Sequence, residues 1–299
     1  METGILLESG TNELEILEFR VGNNFYGINV AKVREILPFK ESTPIPNAHP
    51  CIEGIFMPRD EIITIVDLAK HLNLPASGSG KDMYIVTNFN KLNIGFHVHS
   101  VVGISRVSWA EISKPDATLN GNGTGIATGI IKLEGKLIVI LDFEKIISDI
   151  SPETGLKVSE IDQLGPRQRN ATPILIAEDS ALLGKLISES LIKAGYTNLT
   201  MTMNGQEAWD KLNEYKAEGI LDQKVRLIIT DIEMPQMDGH RLTKLVKDSS
   251  AYSHIPVVIF SSLVNEEMRK KGEALGADAQ LSKPEIGHLV EAIDGILWK

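Results

Sequence analysis

Five polar residues stand where short apolar runs end. Glu178 and Asp179 follow Ile174-Leu175-Ile176-Ala177, and Asp231 follows Leu227-Ile228-Ile229-Thr230. Ser261 follows Val257-Val258-Ile259-Phe260, and Lys283 follows Ala279-Gln280-Leu281-Ser282. Short apolar runs bounded by turn signals read as buried strands, so each polar group sits where a strand leaves the core. Taken singly, an aspartate at a strand end is a cap or turn former, and Lys-Pro is a surface turn. Together at one edge they make an acid cluster with one lysine and one hydroxyl. Three carboxylates packed together repel, at a cost on the order of 4 kcal/mol per pair at ~4 Å and an effective dielectric near 20. Such a cluster holds a proton, a lysine or a metal. Lys283 supplies one positive charge. A hard divalent ion with oxygen ligands, Mg²⁺ first among them, is the natural second.

The elements that must position these groups read as five strand–helix units from Pro173 onward. The helical patterns are "SALLGKLISESLIKAG", "NGQEAWDKLNEYKAEG", "GHRLTKLVKDSS", "NEEMRKKGEALG" and "EIGHLVEAIDGILW". Ser180 is a candidate N-cap, Gly195 a helix stop, and Asp238-Gly239 the turn into the third helix. Right-handed crossovers make such a chain a doubly wound α/β fold with a five-stranded parallel sheet, flavodoxin-like in type. Ligands there bind at the carboxyl ends of the strands, where all five polar residues lie.

The first half is different. "GIFMPRDEIITIVDL" from Gly54 and "GIIKLEGKLIVILDF" from Gly129 share a plan: glycine, apolar run, charged turn, apolar run, aspartate. "GINVAKVREI" from Gly27 and "GFHVHSVVGI" from Gly95 match more loosely, in the same order. Each repeat reads as a hairpin, a crossover and a second hairpin, with the first turns at Gly22-Asn23-Asn24 and near Asn90-Lys91. The expectation is an all-β domain over 1–150 made of two duplicated small barrels. Residues 151–171 are polar and punctuated by Pro and Gly, as in a linker, and 172–299 form the α/β domain.

No catalytic constellation stands out in the first half. Cys51 lies among apolar residues and reads as a buried thiol. His97 and His99 point the same way on one strand, but two histidines alone make a poor metal site. "ASGSGKDM" fails as a phosphate loop, because Pro75 occupies the first glycine position and Asp82 replaces Ser or Thr. "NGNGTG", from Asn120, is a turn by composition.

The net charge of −10 argues against binding to DNA or insertion at an anionic membrane. No apolar run approaches the roughly 20 residues of a membrane span. The first residues lack the basic and apolar regions of a signal peptide. One cysteine cannot form an internal disulfide, which suits a reducing compartment. The expectation is a cytoplasmic protein.

The motifs "AEDS", "DIEMPQMDG", "PVVIFSS" and "GADAQLSKP" make the second half resemble the receiver domain of two-component response regulators. The resemblance implies that Asp231 accepts a phosphoryl group from a kinase phosphohistidine. It implies Mg²⁺ held by Asp179 and Asp231, by Glu178 through water, and by the backbone carbonyl of Glu233. Ser261 would bond one phosphoryl oxygen and Lys283 another, and the Lys283-Pro284 bond is often cis in that family. Many receivers carry Tyr or Phe where this chain has Gln280, so the aromatic readout of phosphorylation is missing.

"FRVGNNFYGINVAKVREIL", "PNAHPCIEGIFMPRDEIITIVDL" and "GIIKLEGKLIVILD" make the first half resemble the CheW family, which couples chemoreceptors to the histidine kinase CheA. That family's Asn-Leu-Arg-Gly signature appears here as Phe56-Met57-Pro58-Arg59-Asp60, where the arginine matches and the Asn and Gly do not. Arg59 is the candidate partner-binding residue, with Val33 and Glu35 in the matching helix-like segment. A CheW-like domain joined to a receiver resembles the CheV type of chemotaxis coupling protein. The partners implied are CheA and the cytoplasmic tips of chemoreceptors, at membrane receptor arrays and without nucleic acid. The switch element implied is the loop after the fourth strand with the helix near Asn265 to Gly276. Competing readings are a phosphate sink for CheA and an aspartyl-nucleophile phosphatase. Glu233 and Pro235 stand where the phosphatase chemistry wants a second aspartate and its neighbour. No enzyme activity is implied beyond the receiver's own phosphorylation and dephosphorylation.

Overall fold

The computed structural model describes residues 12–75, 80–89, 92–113, 115, 125–133, 135–151, 160–161, 164–165, 167–263, 266–283 and 285–298. The expected turn at Asn90-Lys91, the Asn120 to Thr124 stretch, Asn265, Pro284 and residues 152–159 of the expected linker lie outside them. Contacts divide the chain into two units, Leu14–Thr154 and Gly155–Lys299 with Met1–Glu13.

The first unit opens with β1 (Glu13–Val21), β2 (Asn24–Asn29), β3 (Val33–Pro38), β4 (Ile52–Phe56), β5 (Ile63–Asp67) and α1 (Leu68–His71). The second copy of the pattern is β6 (Met83–Phe89), β7 (Leu92–Val98), β8 (Ser100–Ser108), β9 (Ala127–Leu133), β10 (Lys136–Leu141) and α2 (Phe143–Ile150). The two sheets run β8-β1-β2-β10-β9 and β3-β6-β7-β5-β4. Exchanging each strand for its counterpart in the other repeat turns one order into the other. Each sheet therefore draws strands from both repeats. The first hairpin of one repeat pairs in parallel with the second hairpin of the other, as β2 with β10 and β5 with β7. Isolated bridges Thr43–Ile55 and Ser113–Ile130 join the chain beyond β3 to β4 and the chain beyond β8 to β9, which brings the ends of each sheet together.

The repeated aspartate has a local role. Asp67 accepts a hydrogen bond from Lys70 N and N-caps α1, and Asp142 accepts from Lys145 N and N-caps α2. Alternate strand residues then face a shared core. Phe143 of α2 packs edge-on against Phe96 of β7, with ring centroids 4.6 Å apart, and against Phe19 of β1. This joins both sheets through one helix.

The expected helix-like segment around Val33 and Glu35 is corrected. A single 3-10 turn spans Val30–Lys32, and Val33 opens a strand that pairs antiparallel with β6. The Val30, Val33, Ile36 spacing mimics a helix, but the β-branched side chains serve a strand with a register shift between Val33 and Glu35.

The second unit holds β11 (Ile174–Ala177), α3 (Ala181–Lys193), β12 (Leu199–Thr202), α4 (Gly205–Ala217), α5 (Leu221–Lys224), β13 (Leu227–Thr230), α6 (Gly239–Asp248), β14 (Val257–Ser261), α7 (Glu266–Ala274), β15 (Ala279–Ser282) and α8 (Ile286–Leu297). Its sheet runs β12-β11-β13-β14-β15, with every pair parallel. The order reverses at β11, so the switch point lies between the ends of β11 and β13. Ile174 and Ile176 join the core under α3 and α8, while Leu175 and Ala177 join the core under α4 and α6. The three central strands, β11, β13 and β14, are buried on both faces, which is why they lack a polar alternation. Part of the expected linker packs here too: Ile161 is buried in this unit's core, and Arg167 makes a two-pronged ion pair with Asp294 of α8 at 2.6 and 2.7 Å.

Candidate functional site

The register of the parallel sheet assembles the acid cluster. The Asp231 N–H donates to the Ala177 carbonyl at 2.9 Å, which sets the end of β13 beside Glu178 and Asp179. Carboxylate oxygens of Glu178, Asp179 and Asp231 lie within 4.8 Å of one another. The Lys283 ammonium donates to Glu178 Oε2 at 2.7 Å and to Asp231 Oδ2 at 3.0 Å. Glu178 and Lys283 are almost wholly buried, and Asp231 retains a small exposed edge. Three carboxylates less one ammonium leave two negative charges, all on hard oxygen donors. That donor set fits a divalent cation of the Mg²⁺ kind.

Ser261 ends β14 fully buried, and its Oγ accepts from Leu263 N at 3.2 Å. It pairs in register with Ser282, and the Lys283 N–H donates to its carbonyl at 3.1 Å. All five residues singled out at strand ends therefore lie at the carboxyl edge of this one sheet. Glu233 lies in the loop after β13, two residues beyond Asp231.

That loop is fixed by backbone contacts the side-chain pattern does not show. Ile232 N donates to Asp231 Oδ1 at 2.6 Å, and Gly239 N donates to the Ile232 carbonyl at 2.9 Å. The two carboxylate oxygens of Asp231 are thus held separately, one by Ile232 and one by Lys283. A Cβ at residue 239 would stand 1.9 Å from the Asp231 carbonyl oxygen, so only glycine lets the loop close. Asp238 N-caps α6 through Arg241 N at 2.6 Å, and burial raises its pKa. It is the turn former the sequence indicates, outside the acid cluster.

His240 follows directly and was not singled out by its sequence context. It is buried, and its Nε2 meets no partner among the described residues. Burial, with Lys271 nearby, pushes its pKa down to about 3, so the ring is neutral. The only hint in the sequence is a histidine on the apolar side of a helical pattern.

In the first unit, the structure brings Arg59 to Glu35 at 3.4 Å, with Arg59 largely exposed. Val33 sits on the same strand as Glu35 and packs partly against the core. His97 and His99 do not converge on a metal. His97 Nδ1 meets Glu53 Oε1 at 2.5 Å, whereas His99 Nδ1 accepts from Gly22 N at 2.7 Å. Cys51 is buried, and desolvation, with Asp67 nearby, pushes its thiol up, away from nucleophilic behaviour.

Residues 15–151 match the CheW-like domain family, and residues 174–294 match the response regulator receiver domain family. Over 303 residues, covering 96% of this chain and 96% of the relative, the chain is 32% identical to chemotaxis protein CheV3 of Helicobacter pylori. The chain belongs to the CheV family. Chemotaxis protein CheV2 of the same organism is 30% identical, covering 94% of each chain. The chemotaxis protein CheW of Thermotoga maritima is 28% identical over 151 residues, half of this chain and 98% of its own. A CheV chain is thus a CheW-like domain followed by a receiver, and the acid cluster lies in the receiver half.

Proposed function

We propose that this CheV-family chain couples chemoreceptors to the histidine kinase CheA through its CheW-like domain, and that phosphorylation of Asp231 tunes the coupling. The observation that carries the reading is the fusion itself. An adaptor-type domain is joined to a receiver whose Asp231 sits between an acid pair and a buried lysine.

The residues divide the chemistry as follows. Ile232 N–H and the Lys283 ammonium hold the Asp231 carboxylate in place before reaction. A carboxylate oxygen of Asp231 attacks the phosphorus of a phosphohistidine, the new O–P bond forms as the N–P bond breaks, and the imidazole leaves. Lys283 balances the charge arriving on the phosphoryl oxygens, and the Ser261 hydroxyl donates to one of them. Asp179, Asp231, Glu178 and the Glu233 carbonyl would hold Mg²⁺, which when bound supplies the remaining positive charge. Phosphoryl transfer needs mostly positioning and charge neutralisation, and this edge provides both. The chemistry is confined to the chain's own phosphoryl group. Its effect on partners comes from roughly −1.5 to −2 added charges. A coupling of about 1–3 kcal/mol suits adjustment better than an all-or-none switch.

The test is CheA kinase activity in a reconstituted complex with receptors, with this protein phosphorylated and unphosphorylated. A change in kinase activity that Asp231→Asn abolishes is expected. Identical activity in both states would overturn the reading.

A further inference from the structure

The sheet β3-β6-β7-β5-β4 closes around a small core of its own. Ile63, Ile65, Tyr84 and Val86 are buried there, with Leu37 and Phe56 packed against them. His97 of β7 lies opposite Asp67 of β5 and Tyr84 of β6 in the strand register. Its ring meets the Tyr84 ring edge-on, so it borders this core.

Glu53 reaches His97 through a β-bulge. Ile52 pairs with Val66 and Gly54 with Ile65, which leaves Glu53 as the extra residue of β4. A bulge re-aims its side chain, and the Glu53 carboxylate lies 2.5 Å from His97 Nδ1. An ionised carboxylate only accepts, so Nδ1 carries the hydrogen and the ring takes its second proton at Nε2. Nε2 is buried and meets no partner among the described residues.

Phe39, the residue after β3, stacks on the imidazole with centroids 4.9 Å apart and lies tilted to Tyr84 at 5.6 Å. The segment that it begins has few other holds. Phe39 N donates to the Asp82 carbonyl at 3.1 Å, and the Tyr84 hydroxyl donates to the Lys40 carbonyl at 2.6 Å. Thr43 exchanges two backbone bonds with Ile55, at 2.8 and 2.9 Å.

We propose that His97 is a proton-operated clasp on residues 39–43, firm when its ring is charged and looser when the ring is neutral. Both contacts of the ring depend on that charge. The bond to Glu53 becomes an ion pair as well as a hydrogen bond. A cationic ring also attracts the face of Phe39 more strongly than a neutral one does. The groups facing the ring are Glu53 from β4, Asp67 at the end of β5, Asp82 before β6, Tyr84 from β6 and His99 from β7. Tyr84 stays neutral, because burial and Glu53 push its pKa up to about 12. Burial works against a charged His97, but Glu53, with Asp82 and Asp67, outweighs it and holds the pKa above the ordinary 6.5. The added hold is therefore complete below 6.5 and is lost as the pH rises through the raised value. The clasp stands apart from the reading of Asp231.

The test is NMR of the full chain from pH 5 to pH 9. It reads the His97 ring and the exchange protection of the Phe39 and Thr43 amides, corrected for the pH dependence of free amides. The ring should titrate with a midpoint above 6.5, and protection of both amides should fall several-fold across it. Protection in β10 should not change. Glu53→Gln keeps an acceptor and removes the charge, so it should lower the His97 midpoint and flatten the fall in protection. His97→Phe keeps a ring for Phe39 to stack on and should remove the fall altogether. A His97 ring that does not titrate in this range would overturn the clasp, as would a titrating ring with unchanged amide protection. The same fall in both variants would assign the change to another group, His99 first, and overturn the role of His97.

Discussion

Lys283 and Glu178 form an ion pair at 2.7 Å in which the two side chains retain only 3% and 2% exposure. Charges that deep are tolerated because each has a partner. Removing the ammonium strips Glu178 of its counter-charge in a site that water barely reaches. Lys283→Ala is therefore expected to destabilise the receiver by about 3–5 kcal/mol, and adding Glu178→Gln to recover part of that loss. Urea unfolding of the four corners of this cycle checks it. Equal losses with and without Glu178→Gln would mean that the pair is not the source.

Asp231→Asn keeps the shape of the proposed acceptor and removes its nucleophilic charge. The variant should stay folded and take up no phosphoryl group from acetyl phosphate or phospho-CheA. Chelating Mg²⁺ should silence the wild-type chain in the same assay, since three carboxylates gathered around one ammonium form a donor set that suits a divalent cation. Labelling that persists in the variant would move the acceptor elsewhere. Labelling that persists in chelator would remove the metal from the reading.

Much of this was legible in the sequence. Short apolar runs identified the receiver strands, and a right-handed parallel arrangement leaves one edge on which Glu178, Asp179, Asp231, Ser261 and Lys283 can gather. The internal repeat was legible in matched glycines and aspartates. The exchange of hairpins between repeats was not, because alternation says which face of a strand is buried and not which strand lies beside it. Val33 and Glu35 lie on a strand and not in the helix-like segment that the resemblance implied, because pairing with β6 claims the backbone. The Ile232 N–H that holds Asp231 leaves no trace in residue type. Gln280 was visible as a departure from an aromatic position, but its seat on Gly272 depends on a contact between strand and helix.

His240 gives the receiver a predictable acid sensitivity. Its ring stays neutral in the folded chain down to about pH 3, against an ordinary value of 6.5. The unfolded chain thus binds a proton that the folded chain refuses, so stability is lost as the pH falls below 6.5. Between pH 7 and pH 5 this one group should cost about 2 kcal/mol. His240→Leu is expected to flatten the receiver's pH dependence by that amount, measured as urea midpoints at pH 7, 6 and 5. An unchanged slope would show that His240 is accessible to protons in the folded state.

Arg59 and Glu35 lie 3.4 Å apart, with the arginine side chain 76% exposed. A pair so open to water contributes about 0–1 kcal/mol to folding. Arg59→Ala should therefore leave the thermal unfolding of the CheW-like domain nearly where it was. If this pair faces a partner, the same change should weaken binding of the full chain to CheA or to receptor tips by about tenfold or more. Glu35→Ala would act on the same contact, so the double variant should lose less than the two single losses combined. Titration calorimetry against each partner separates the cases. Unaltered affinity for both partners in Arg59→Ala would reduce Arg59 to a solvated charge on a hairpin and shift the partner surface to other strands of the domain.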